Sequence, residues 1–198
     1  MHFENSHFSF RAMFEDISRE KKKLLFDTGL ILAGSWLVAI SAQITIPFYP
    51  VPFTAQTLAV ILVGALLGSR RGALSLVTYL LQGAIGLPAF AEATGGLGKL
   101  LGPTGGYIIG FIPAAFFCGY LIEHGFRGSF TKLFFAMLAA NTLIYLFGIP
   151  QLAIFVGWKT AFQAGFLPFI PGDILKAVLA VFLLPISNFL ILKIFRNY

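Results

Sequence analysis

The amino-acid sequence predicts an all-α integral membrane protein, a six-transmembrane-helix bundle with a Gly-rich outer loop between helices 3 and 4. Three observations predict it. Of 198 residues, 58% are hydrophobic and only 11% are charged, against about a quarter charged in a soluble domain. The apolar runs are continuous rather than alternating, which favours helices over a barrel. The bases collect at segment ends, where they set orientation in a membrane.

The elements follow in order. Residues 1–23 are charged and aromatic-rich, too polar to span and without the apolar stretch of a signal peptide; they are expected to form an amphipathic helix on the cytoplasmic face. Residues 24–198 are expected to form a single six-helix membrane domain. The first span is placed at Leu24 to Ile46, where Ser35 and Ala39 form a small-xxx-small pair suited to close helix approach. The run Ile46 to Phe53 contains Pro47, Pro50 and Pro52 and cannot continue a helix.

Thr54 is placed as the cap of a second segment ending at Leu67, and Ala73 to Gly86 makes a third. Each is shorter than the roughly twenty residues of an upright span. They cannot merge into one straight helix, because Arg70 and Arg71 would then lie at the membrane centre. Two short helices joined by a turn over Gly68 to Gly72 are therefore expected.

Residues Leu87 to Gly106 include six glycines among twenty positions, together with Phe90, Leu97, Leu100 and Leu101. So apolar a stretch reads as an ordered lid or re-entrant loop rather than a linker. No Gly-Lys-Ser/Thr follows it, which excludes a phosphate loop. Tyr107 to Ile122 is the fourth span, Leu133 to Val156 the fifth, Trp158 to Ile170 an interfacial loop, and Ile174 to Ile194 the sixth.

With both termini cytoplasmic, eleven of the fourteen bases fall on one side: Arg11, Arg19, Lys21, Lys22, Lys23, Arg70, Arg71, Arg127, Lys132, Lys193 and Arg196. Lys99 and Lys159 fall on the other, and Lys176 lies within the sixth helix. That bias is the positive-inside rule. It gathers the proline-rich loop, the glycine-rich loop and the start of the sixth helix at one outer end, which implies a pocket open to the outside.

Pro171-Gly172-Asp173-Ile174-Leu175-Lys176 brings an acid and a base to one face of the sixth helix, with Asp173 at or near its N-cap. Charges in a membrane segment mark a functional site by default, although an interfacial cap with a snorkelling lysine would look the same. A ligand with N–H and C=O groups, such as a cyclic urea or amide, would satisfy both side chains. Catalysis is not expected: His2, His7 and His124 form no triad or metal set, and Asp27 lies at the opposite face from Asp173. The single Cys118 excludes an internal disulfide. Nucleic acid is not an expected partner, because the net charge of +6 is used for topology.

Several runs resemble the BioY family in order and with little gap, from about Ala42 to Val181. They are Pro50-Val51-Pro52-Phe53-Thr54-Ala55-Gln56-Thr57, Gly68 to Ser75, Gly83 to Pro88, Gly95-Gly96-Leu97-Gly98, Leu101 to Tyr107 and Pro171 to Lys176. These are the biotin-specific substrate-binding (S) components of energy-coupling-factor transporters. The resemblance implies a subunit of the bacterial cytoplasmic membrane that binds biotin from outside, without a cofactor or catalysis of its own. It implies work with a transmembrane T component and a pair of ATPases, toppling among the membrane lipids to release the vitamin inside.

On that resemblance Asp173 and Lys176 match the residues that hydrogen-bond the ureido ring. Thr94, Gly95 and Gly96 would cover the bicyclic headgroup, while Tyr107, Thr54 and Gln56 would border the valerate tail, with Tyr79 and Lys99 as further wall residues. Ser35 and Ala39 would mark the docking surface for the T component. The other readings are an S component for another vitamin and a self-sufficient secondary carrier of a small polar heterocycle. A carrier would favour an inverted repeat, and the proline-rich break after Ile46 has no counterpart in the second half.

Overall fold

The computed structural model describes residues 10–126 and 129–195, with side chains described from 19 to 184 outside that gap. Helix α1 (Phe10–Gln43) is followed by a two-stranded antiparallel hairpin, β1 (Thr45–Ile46) and β2 (Phe53–Thr54), that closes the proline-rich loop. Then come α2 (Gln56–Ala84), a 3-10 turn (Ala91–Ala93), α3 (Leu97–Leu101), α4 (Gly105–Glu123), α5 (Phe130–Val156), α6 (Trp158–Gly165), a second 3-10 turn (Leu167–Phe169) and α7 (Ile170–Phe195).

Among the described residues, five helical stretches are long and apolar enough to cross a membrane. One of them, α2, is a folded pair. Gly68 sits at φ +83° and ψ 178°, a conformation open only to glycine, and breaks the helix into arms 56–67 and 69–84. The arms run back along each other. Gln56 lies beside Tyr79 and Gly64 beside Gly72, where a Cβ on Gly72 would come within 2.9 Å of the Gly64 Cα. Six membrane legs result.

At about 1.5 Å per residue the arms are roughly 18 and 24 Å long, short for a hydrocarbon core of about 30 Å. The two short helices are as expected, but the turn takes one residue rather than the five from Gly68 to Gly72. The second arm can start at Ser69 because the Glu123 carboxylate at the end of α4 accepts both its N–H (2.8 Å) and its hydroxyl (2.8 Å). That carboxylate serves as a cap borrowed from another helix, and its charge suits a helix N-terminus.

Four boundaries differ from the sequence expectation. Helix α1 runs unbroken from Phe10 through the first span, so described residues of the N-terminal segment continue that helix; residues 1–9 lie outside the described part. Trp158 to Gly165 is helical rather than loop. Helix α7 starts at Ile170, with Pro171 in its first turn, where proline lacks no needed N–H, and Asp173 inside that turn rather than at the cap. Thr54 does not cap α2; the cap residue is Ala55, and the Thr54 hydroxyl bonds to Gln56.

The core runs along the middle of the bundle, where α4 packs between the two arms of α2 and α5. Ser35 is fully buried against this chain's own helices, its neighbour Gly34 abutting Ser75, and Ala39 is half-buried on the core. The small pair therefore packs the bundle. The exposed side of α1 carries Trp36, Leu37 and Ile40 instead.

The chain's long connections gather at one end, the loop end, and its tight turns at Gly68 and after Glu123 gather at the other, the turn end. Gln43 on α1 fastens the glycine-rich segment, donating to Phe90 O (3.2 Å) and accepting from Ala93 N–H (2.9 Å). Gln151 on α5 fastens its far side, donating to Leu100 O (2.8 Å) and Gly102 O (2.7 Å). The segment is thus an ordered cover. Phe90 and Leu100 are buried beneath it, whereas Leu97 and Leu101 stay exposed.

Candidate ligand-binding site

A cavity opens beneath this cover at the loop end. Its walls come from every part the charge bias gathers there: Val51, Pro52 and Thr54 from the proline-rich hairpin, Gln56 and Thr57 from α2, and Ala91, Lys99 and Thr104 from the glycine-rich segment. Tyr107, Ile108 and Phe111 come from α4, Asn141, Ile144 and Tyr145 from α5, Phe169 from the second 3-10 turn and Lys176 from the start of α7. Phe53 and Phe169 stack at 4.1 Å and tie the hairpin to the entry of α7.

The polar groups of the cavity are held in place by one another. Lys176 Nζ donates to Thr54 O (2.8 Å) and Thr57 Oγ1 (2.8 Å), and lies 3.8 Å from Asp173 Oδ1. The other carboxylate oxygen of Asp173 accepts from the Tyr145 hydroxyl. Asp173 and Lys176 have side chains only 7% and 19% exposed, so the pair is buried and depends on these contacts. A buried charge with its partner removed is far costlier than a surface one.

Aromatic rings brace the cluster. Tyr107 and Tyr145 meet edge to face at 6.2 Å, and Tyr145 meets Phe166 likewise at 4.8 Å. The Tyr107 hydroxyl donates to Gly165 O (3.0 Å), which ties α4 to the end of α6. The arrangement sets a carboxylate and an ammonium 3.8 Å apart, short of a close ion pair, beside an aromatic-walled space. Such a site can accept from and donate to one planar polar ligand.

The sequence-derived candidates separate into groups. Thr54, Gln56, Tyr107 and Lys176 line the cavity, and so does Lys99. Asp173 stands just behind the wall, between Lys176 and Tyr145. Tyr79 is fully buried one layer further back; its hydroxyl accepts from Gln56 Nε2 at 2.5 Å and its ring packs edge-on against Phe90. Thr94, Gly95 and Gly96 belong to the cover, whose cavity-facing residues are Ala91, Lys99 and Thr104.

Sequence reasoning singled out none of Tyr145, Thr57 and Asn141 as a site residue. The signal for α5 was there: Asn141 and Tyr145 are four apart, hence on one face. Among the described residues no cluster of His, Cys, Asp and Glu has metal-binding geometry.

Comparison with known proteins agrees with this geometry. The model of the BioY family matches residues 17–191. A probable biotin transporter BioY of Pyrococcus horikoshii is 44% identical over 145 residues, covering 73% of this chain and 85% of that one. The biotin transporter BioY of Thermotoga maritima is 42% identical over 154 residues (76% and 90%), and that of Rhizobium etli 41% over 165 residues (79% and 88%). Among solved structures, the crystal structure of the S-component for biotin from an ECF-type ABC transporter superposes with a TM-score of 0.72 at 27% identity, covering 82% of this chain and 90% of that one. Matched along nearly its whole membrane domain, the chain belongs to the BioY family.

Proposed function

We propose that the protein takes up biotin as the S component of an ATP-driven energy-coupling-factor transporter, binding the vitamin at the loop end and delivering it to the cytoplasm. The observation that carries this is the buried Asp173–Lys176 pair, held by Tyr145, Thr54 and Thr57 at the wall of a covered cavity. A cyclic urea has N–H groups for the carboxylate and a carbonyl for the ammonium. In a water-poor site both bonds strengthen, and an analogue lacking the urea leaves charges unpaired.

Lys176 takes the role expected for the urea carbonyl and Asp173 that for an N–H. Tyr107, Thr54 and Gln56 stand along the wall where a valerate chain would pass, and Lys99 offers a positive charge on the cover side. The segment with Thr94, Gly95 and Gly96 is the part of the cover that would lie over the bicyclic headgroup. Neither metal nor cofactor enters this scheme.

The orientation rests on the bases. Arg70, Arg71 and Lys132 stand at the turn end with the start of α1, which makes that end cytoplasmic and the loop end extracytoplasmic. Both termini then face the cytoplasm of a bacterial cell. ATP hydrolysis falls to partner subunits, a T component and a pair of ATPases, with membrane lipids around the exposed apolar surface.

Equilibrium binding to the detergent-purified protein tests the reading, with biotin, desthiobiotin, thiamine and riboflavin compared. Saturable biotin binding with little response to thiamine or riboflavin is expected. A monodisperse, folded sample that binds no biotin would overturn it.

A further inference from the structure

We infer that Asn141 is a ligand-binding residue of the cavity, presenting its amide carbonyl and NH2 together to the ureido edge of the ligand; this rests on the biotin reading above. Among the described residues, the buried side-chain polar atoms without a hydrogen bond are few: Asp27 Oδ1, which Arg71 Nη2 pairs at 2.7 Å, and both amide atoms of Asn141. Asn141 is only 3% exposed, sits near the middle of α5 and lines the cavity. Buried amides are almost always paired, and leaving one unpaired is costly. An apolar side chain at this position would spare the fold that cost, so the amide has a use that the fold does not supply.

The neighbours narrow the use. Gln56, Tyr107, Tyr145 and Lys176 on the same walls are already bonded within the protein. Asn141 alone among them has its whole hydrogen-bonding capacity free. It lies one helical turn beyond Tyr145 on the same face of α5, so it extends the Asp173–Tyr145 cluster deeper into the bundle. Ile144 and Phe111 share that part of the wall and keep it apolar.

A group that donates and accepts along one edge satisfies both amide atoms; a carboxylate satisfies the NH2 and sets an anion against the carbonyl oxygen. A cyclic urea has two N–H groups and a carbonyl with two lone pairs. One N–H goes to Asp173 and the other to Asn141 Oδ1, while Lys176 and Asn141 Nδ2 share the carbonyl. The amide thereby selects for the urea against rings lacking an adjacent donor and acceptor.

The test uses the full-length protein in detergent, with Asn141→Leu, biotin and biotin methyl ester as ligands, and a ligand-free melt. Expected is a loss of at least about tenfold in affinity for both ligands by the same factor, with a ligand-free melting temperature no lower than wild type. Should leucine not fit, Asn141→Ala, which adds no atoms, is read in the same way. Wild-type affinity in a folded variant overturns the inference alone. A loss seen with biotin and not with its ester also overturns it, because the amide would then hold the carboxylate. A wild type that binds no biotin overturns the functional reading, and this inference with it.

Discussion

The two ends of the bundle both carry acids and bases, and they use them differently. At the turn end Asp27 meets Arg71 at 2.7 Å and Glu123 meets Ser69 twice at 2.8 Å. These groups are part-exposed, and each has its partner within the protein. At the loop end Asp173 and Lys176 are nearly buried and stand 3.8 Å apart, Lys176 on a cavity wall that also carries an unpaired amide and Asp173 just behind it. Polar groups that complete one another hold helices together. Polar groups left incomplete at a cavity wall describe the ligand that would complete them. The difference separates fold from function in a chain whose charged residues are few.

The contrast can be broken first at Gly68. Its φ of +83° and the Glu123 carboxylate against it leave no room for a side chain. Gly68→Ala is expected to cost about 2–3 kcal/mol through strain and displacement of that carboxylate, read as a large drop in melting temperature in detergent. Because the second arm of α2 carries no cavity-lining residue, the variant that still folds keeps its affinity for biotin. Unchanged stability would mean that the break is not set by glycine.

A smaller effect is expected at Glu123→Ala. Loss of the borrowed cap on Ser69 should cost about 1 kcal/mol and leave biotin affinity as in wild type. A melting temperature unmoved, with affinity lost, would dissolve the distinction between the two ends.

Much of this was legible in the sequence, and the unread parts share a cause. The six apolar legs, the ordered glycine-rich cover and the Asp173–Lys176 pair follow from run length, glycine spacing and the rarity of charges in such a chain. The partners of that pair do not. Tyr145 is 28 residues from Asp173 and Thr57 is 119 from Lys176. A membrane helix such as α5 is apolar all round, so periodicity cannot tell its inward face from its lipid face. The same ambiguity turned Ser35 inward when a small-xxx-small pattern suggested an exposed contact. The one-residue turn at Gly68 was hidden because its cap, Glu123, belongs to another helix. Trp158 to Gly165 was read as part of an interfacial loop, although its buried Ala161 and Gly165 are four apart, as are Lys159 and Gln163 on the other face, as in a surface helix.

The most direct test of the account is the dissociation constant of biotin measured side by side for wild type, Asp173→Asn and Lys176→Ala, each with a ligand-free melt. The account predicts at least about tenfold weaker binding in each variant, roughly 1.4 kcal/mol or more, with both still folded. Wild-type affinity in two well-folded variants would contradict it, and would leave the buried pair at the loop end as one more device for holding helices together.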